Sequence, residues 1–82
     1  MANPIEDQGA RQLRAVTPSD SVDLPISPCR ALWIGVAGNV ALIAADDSSA
    51  VTLTAVEAGL LPVRTKRVLS TGTTATSIVA LY

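Results

Sequence analysis

Between Ala31 and Tyr82 the chain alternates short apolar bursts with polar breaks marked by glycine or proline, and the bursts are rich in β-branched residues. ALWIGV (31–36) and VALIAA (40–45) flank AGN, a Gly-Asn connection with the signature of a hairpin loop. DDSS (46–49) is a second turn, because Asp and Ser side chains bond the local backbone. AVTLTAV (50–56) sets Val51 and Leu53 against Thr52 and Thr54, the alternation of a half-buried strand. EAGLLP is a further turn, VRTKRVL (63–69) resumes a strand, STGTTATS is a loop and IVALY closes the chain. Ala and Leu over 40–60 would also suit a helix. The β-branched Val51, Thr52, Thr54 and Val56, with Asp-Ser-Ser between the bursts, favour strands. The pattern predicts an all-β fold: a small antiparallel β-sandwich or barrel of about five to six short strands with an extended N-terminal arm.

The arm is residues 1–14 and the β-domain residues 15–82. The arm holds Pro4, Gly9 and several charges, with isolated apolar residues at Ile5 and Leu13 and no helical stripe, so its order would come from docking. TPSDSVDLPISP (17–28) joins the two. Ser19 and Asp20 suit a turn, Pro18, Pro25 and Pro28 restrict the chain, and Val22, Leu24 and Ile26 alternate at period two. An ordered connection that sets the arm's direction fits this segment better than a linker.

Composition sharpens the picture. A chain of 82 residues is one small domain that buries only about 60% of its unfolded surface, so a staple is expected. Cys29 is the single cysteine and there is no histidine, which excludes an intrachain disulfide and leaves no structural zinc set. Hydrophobic residues make up 49% of the chain and charged residues 16%, against about 25% charged in typical domains, so part of the exterior is expected to be covered by neighbouring chains. A net charge of −1 argues against nucleic acid as a partner. The longest apolar run, 31–45, is too short for a bilayer and is broken by Gly38-Asn39, and the N-terminus lacks the apolar stretch of a signal peptide. Neither a membrane partner nor export is expected, and synthesis is placed in the cytoplasm.

Catalytic chemistry finds no anchor. Without histidine the usual general base and nucleophilic triads are missing. Asp46-Asp47 is an ordinary turn pair that lacks further metal ligands. STGTTAT has no lysine where a phosphate-binding loop needs one, so its threonines are expected to bond loop backbone. Cys29 has no partner base and suits a small buried hydrophobe. In RTKR (64–67), alternation puts Arg64 and Lys66 on one face and Arg67 on the other. That cluster either protects a sheet edge or salt-bridges an acidic neighbour. The candidate partner-binding residues are Ile5, Arg11, Leu13, Trp33, Arg64, Lys66 and Arg67. No catalytic, cofactor or metal residue is assigned.

The order VTPSDSVDLP (16–25), ALWIGVAGNV, then AGLLPVRTKRVLSTGTTATSIVALY (58–82) resembles the head-spike base proteins of gene transfer agents and related alphaproteobacterial tailed phages. The resemblance covers most of the chain beyond the arm and rests on the joint order and spacing of T-P-S-D-S-x-D-L-P, L-P-V-R and R-V-L-x-T-G-T-T-A-T. It implies a non-enzymatic virion protein at the capsid vertex, seating a spike fibre, with capsid protein and fibre protein as partners. A homo-oligomer, a pentamer, would match the vertex, and the arm would reach the capsid or a neighbouring subunit. The alternative is another small phage structural part, a capsid decoration protein or a tail-associated adaptor. A glycan- or nucleic-acid-binding module is disfavoured by the poverty of aromatic residues, with one Trp, one Tyr and no Phe.

Overall fold

A computed structural model describes residues 10–82 and is built of seven strands. These are β1 (Leu13–Ala15), β2 (Ala31–Val36), β3 (Gly38–Ala44), β4 (Val51–Val56), β5 (Gly59–Leu61), β6 (Thr65–Val68) and β7 (Thr76–Leu81). They form two antiparallel sheets, one of four strands in the order β1-β7-β2-β5 and one of three in the order β4-β3-β6. The all-β sandwich expected from the apolar pattern is the fold observed. The span 40–60 holds strands and no helix. Two strands fall where none was expected. β1 straddles the boundary between arm and domain, and β5 lies within the segment read as the turn EAGLLP.

The two sheets close on Leu32 and Ile34 of β2, Ile78 and Ala80 of β7, Val40 and Leu42 of β3, and Val68 of β6, with Leu24, Cys29 and Ala75 filling the ends. Burying each of the larger side chains stabilises the fold by about 1.5–3 kcal/mol relative to exposure. Thr65 is fully buried among them, and its hydroxyl is satisfied by donating to the Val63 carbonyl at 3.0 Å.

The Gly-Asn connection is not a hairpin. β2 and β3 do not pair; the chain passes through Ala37 from the centre of one sheet to the centre of the other. A two-residue hairpin turn of the Asn-Gly type needs positive φ at both central residues, and neither Gly38 nor Asn39 has it. Glycine is required at 38 for a different reason. A Cβ there would lie 2.6 Å from the Ala75 nitrogen and 2.8 Å from Thr74 Oγ1. Asn39 then ties three elements together. Its N–H donates to Thr74 Oγ1 (2.8 Å), its carbonyl accepts from the Thr74 and Ala75 amides (2.9 and 3.1 Å), and its side-chain Oδ1 accepts from the Ala55 amide (3.0 Å). Ala55 has φ 54°, where the register of β4 against β3 slips. That bulge sets Leu53 and Val56 against the core at a spacing of three, so strict alternation ends after Thr54; Val51, at the start of the strand and ahead of the bulge, is half exposed.

The proline-rich connection runs along the free edge of β6. The amides of Ser19, Leu24 and Cys29 donate to the carbonyls of Val68, Lys66 and Thr65, at 2.8, 2.8 and 2.9 Å. Of the three alternating aliphatics only Leu24 is buried; Val22 and Ile26 face outward. Side chains pin the segment further. Asp20 accepts from the Thr71 amide at 2.9 Å and the Thr71 hydroxyl at 2.6 Å, and Arg67 bonds Asp23 at 2.7 Å and the Asp20 carbonyl at 3.2 Å. The tips of the STGTTAT loop fold back on β3, where the Ala41 amide donates to Thr73 Oγ1 at 2.9 Å. Thr71, Thr73 and Thr74 therefore all spend their hydroxyls on internal bonds.

Two outcomes follow from these contacts. Gly38→Ala forces a Cβ into the Ala75 backbone and lowers stability by about 1–3 kcal/mol, as overpacking does, read as a shifted denaturant midpoint. The bonds from Thr71 hold the Asp20 carboxyl below its ordinary value of 3.8. A depressed carboxylate stabilises the fold above 3.8 and loses that contribution as pH falls through the lower, folded value. Asp20→Asn should therefore lower the melting temperature at pH 7, with the gap to the parent chain closing in strong acid. A gap that is the same at both pH values would refute the clamp.

Candidate functional site

The outer face of the four-stranded sheet is the part of the molecule whose composition least suits water. Successive side chains of a strand alternate faces, so Leu32 and Ile34 enter the core while Trp33 between them points out. Register then assembles its neighbours. Trp33 pairs with Val79 of β7 and Leu60 of β5, and Val79 pairs in turn with Ala15 of β1. One row over, Leu81 lies between Ala31 and Leu13. Leu13, Trp33, Leu60, Val79 and Leu81 thus share one surface. Leu13 and Leu60 are about 60% exposed and Trp33 is 48% exposed, so this is an open apolar patch centred on the one tryptophan.

Two adjoining hollows contour the patch. Leu13, Trp33, Val79 and Leu81 line one of about 290 Å³. Ala10, Arg30, Ala31, Leu60, Pro62, Arg64 and Leu81 line the other, of about 340 Å³. Leu81 is common to both, so the two hollows lie side by side on the sheet.

The candidate residues from the sequence distribute unevenly around this face. Leu13 and Trp33 lie on it and Arg64 stands at one end of it. Ile5 lies outside the described residues. Arg11 is exposed just before β1, and its amide donates to the Tyr82 carbonyl. Lys66 and Arg67 are on the other sheet, at the β6 edge. There the pairing of β6 with β3 slips between Arg67 and Thr65, which makes Lys66 an inserted residue and interrupts the expected alternation of the three cations. The Lys66 carbonyl and the Arg67 guanidinium both hold the proline-rich segment in place.

The face also recruits residues that sequence reasoning passed over, namely Leu60, Val79 and Leu81. A signal for them existed. In ALWIGV and IVALY the apolar residues occupy both parities, the pattern of strands covered on both faces. With one face of β2 and β7 turned to the core, the other parity marks a surface suited to a second cover.

Among the described residues, titratable groups add no reactive centre near this patch. Cys29 is 1% exposed, and burial pushes its thiol up, away from the reactive thiolate. Burial likewise raises the Tyr82 phenol, whose hydroxyl donates to the Ile26 carbonyl and ties the last residue to the proline-rich segment. The arrangement provides shape and apolar area, the means of holding another macromolecule.

Comparison with known proteins agrees with that. No family model matches the sequence, and neither does any curated protein. Among solved structures, the chain matches one in a structure described as the capsid of a native GTA (gene transfer agent) particle computed with C5 symmetry. The two are 38% identical, the match covers 99% of this chain and 92% of the other, and the TM-score is 0.79.

Proposed function

This chain belongs to the family of that GTA capsid-particle protein and is a structural protein of a phage-like virion, and on that premise we propose that it is the base of a head spike at the capsid vertices. It seats a spike fibre on the capsid as a symmetric homo-oligomer, five copies to a vertex. The observation that carries this reading is the apolar outer face around Trp33, which gives a capsid-family chain of 82 residues a ready surface for another subunit. The C5 symmetry used for the matching particle supports five as the copy number. Leu13 and Trp33 supply the apolar contact. Arg11 and Arg64 lie outside it, as rim charges that select an acidic neighbour, whereas Lys66, on the other sheet, would meet such a neighbour at the β6 side. Arg67 acts indirectly, by holding the segment 19–29 that shapes the β6 side.

Trp33→Asp tests the reading, because a tryptophan at the centre of an interface contributes about 2 kcal/mol or more to binding. The parent chain should show a discrete five-subunit mass over a concentration series. The variant, with an unchanged far-ultraviolet spectrum, should be monomeric and be incorporated into particles roughly thirtyfold less, the equivalent of that energy. Labelled parent chain should sit at head vertices. A label on the tail or spread over the capsid surface would instead assign the chain to an adaptor or a decoration protein. Normal incorporation of Trp33→Asp would remove the face from the assembly altogether.

A further inference from the structure

The two edges of the four-stranded sheet, β1 and β5, lie on opposite flanks of the sandwich, and among the described residues neither has a further strand beside it. β5 follows β4 after Glu57 and Ala58, so those two strands share one flank. β1 shares the other flank with β6, since Ala15 and Val68 line one hollow. We infer that β5 of one copy pairs antiparallel with β1 of the next, Leu60 opposite Ala15, so that the large sheets join into one continuous band. This deepens the five-copy reading above and rests on it.

Hydrogen-bond alternation sets which backbone groups face outward. Gln12 and Tyr82 exchange both of their bonds, at 3.3 and 2.9 Å, and the Val16 amide donates to the Ile78 carbonyl at 2.9 Å. Gln12, Arg14 and Val16 therefore turn their groups to β7, while Leu13 and Ala15 turn theirs away from the sheet. The Leu13 carbonyl accepts from the Arg14 guanidinium at 3.0 Å, which makes Ala15 the more open position. The same alternation crosses β7 and β2. Leu81 accepts from the Arg30 amide at 2.7 Å, Val79 stands opposite Trp33, and Leu32 and Ile34 turn to β5. Leu61 and Gly59 answer them, so the Leu60 N–H and carbonyl point outward. Each edge thus presents a donor and an acceptor on one residue, the two halves of an antiparallel pair.

Strand parity selects the partner edge. Neighbours in the large sheet alternate in direction, so with four strands β1 and β5 run opposite ways. Rotation about an axis along the strands preserves direction, and it sets β5 against an antiparallel β1. The small sheet has three strands, and the same rotation would set β4 beside a parallel β6. That edge of β6 already holds segment 19–29, and β4 is blunted by its bulge at Ala55. The large sheet is the one suited to continue around a ring. Its side chains agree. Ala15, Val79, Trp33 and Leu60 form one cross-strand row, which the junction carries from copy to copy. Leu60 and Leu13, 61% and 60% exposed at the two edges, then meet on a diagonal within reach of each other.

Paired cysteines test the junction in the full chain. Within one copy Ala15 and Leu60 are three strand spacings apart, roughly 14 Å, beyond the reach of a disulfide. Opposite each other in a bonded antiparallel pair they stand about 5.5 Å apart, within that reach. Ala15→Cys with Leu60→Cys, oxidised in a glutathione buffer, should give a covalent ladder ending at five chains on a non-reducing gel. The same gel is run on particles carrying the double variant. Either single variant should stop at dimers, and Cys29 is buried and stays out of the exchange. Ala15→Cys with Thr52→Cys, which probes the β4 edge, should link about tenfold more slowly. A five-subunit mass without the ladder would overturn the pairing and leave the spike base standing. A ladder from chains that label away from the vertices would do the reverse. Equal rates for the two cysteine pairs, or no ladder in solution and in particles alike, would also overturn the pairing.

Discussion

The passage of the chain from one sheet to the other at Ala37-Gly38-Asn39 is the constraint on which the rest of the structure depends. β2 and β3 are interior strands of their respective sheets, so the geometry of this crossing sets how the two layers face each other. Gly38 lets the backbone run against Ala75, and Asn39 uses its amide, its carbonyl and its side chain to bind the approach to β7 and the bulge of β4. A side chain at 38 would push on the start of β7, and an apolar residue at 39 would leave the Ala55 amide of the β4 bulge without its partner. The same crossing leaves the outward parity of β2, with Trp33, free to meet Val79.

Much of this was legible in the residues, and the exceptions have physical causes. The β-branched bursts placed β2, β3, β4, β6 and β7, since their stabilisation lies in packing against a pleated surface. β1 and β5 are three residues each; they are strands only because β7 and β2 offer an edge, a fact held far away in sequence. Gly38-Asn39 carries the residues of a tight turn, yet glycine here answers a close approach and asparagine a set of three orphaned groups. Local preference cannot distinguish those uses. At the site, Leu13 and Trp33 could be named as exposed apolar residues, but their meeting through Val79 and Leu81 depends on register. In 64–67 the inserted Lys66 broke the alternation on which the placement of three cations relied.

The electrostatics are sparse and local, in keeping with 16% charged residues. The ion pair found among the described residues, Arg67 to Asp23, serves the proline-rich segment. Asp20 clamps Thr71, Arg67 reaches Asp23, and the segment's amides occupy the outer carbonyls of β6. An edge strand left bare would be a template for unwanted pairing. Segment 19–29 removes that hazard on one side of the small sheet and leaves the large sheet's face as the open apolar surface.

The order in which the strands pair has a kinetic corollary. β3 and β4 are joined by a short turn, whereas β1 must find β7 across most of the chain, and β2 must find both β5 and β7. Loop closure over such separations is slow compared with local pairing. The five side chains of the apolar patch come from β1, β2, β5 and β7, so no early hairpin can display it. Competence to associate through this patch is therefore a late product of folding, and a copy that has stalled partway cannot take a native place in a growing assembly.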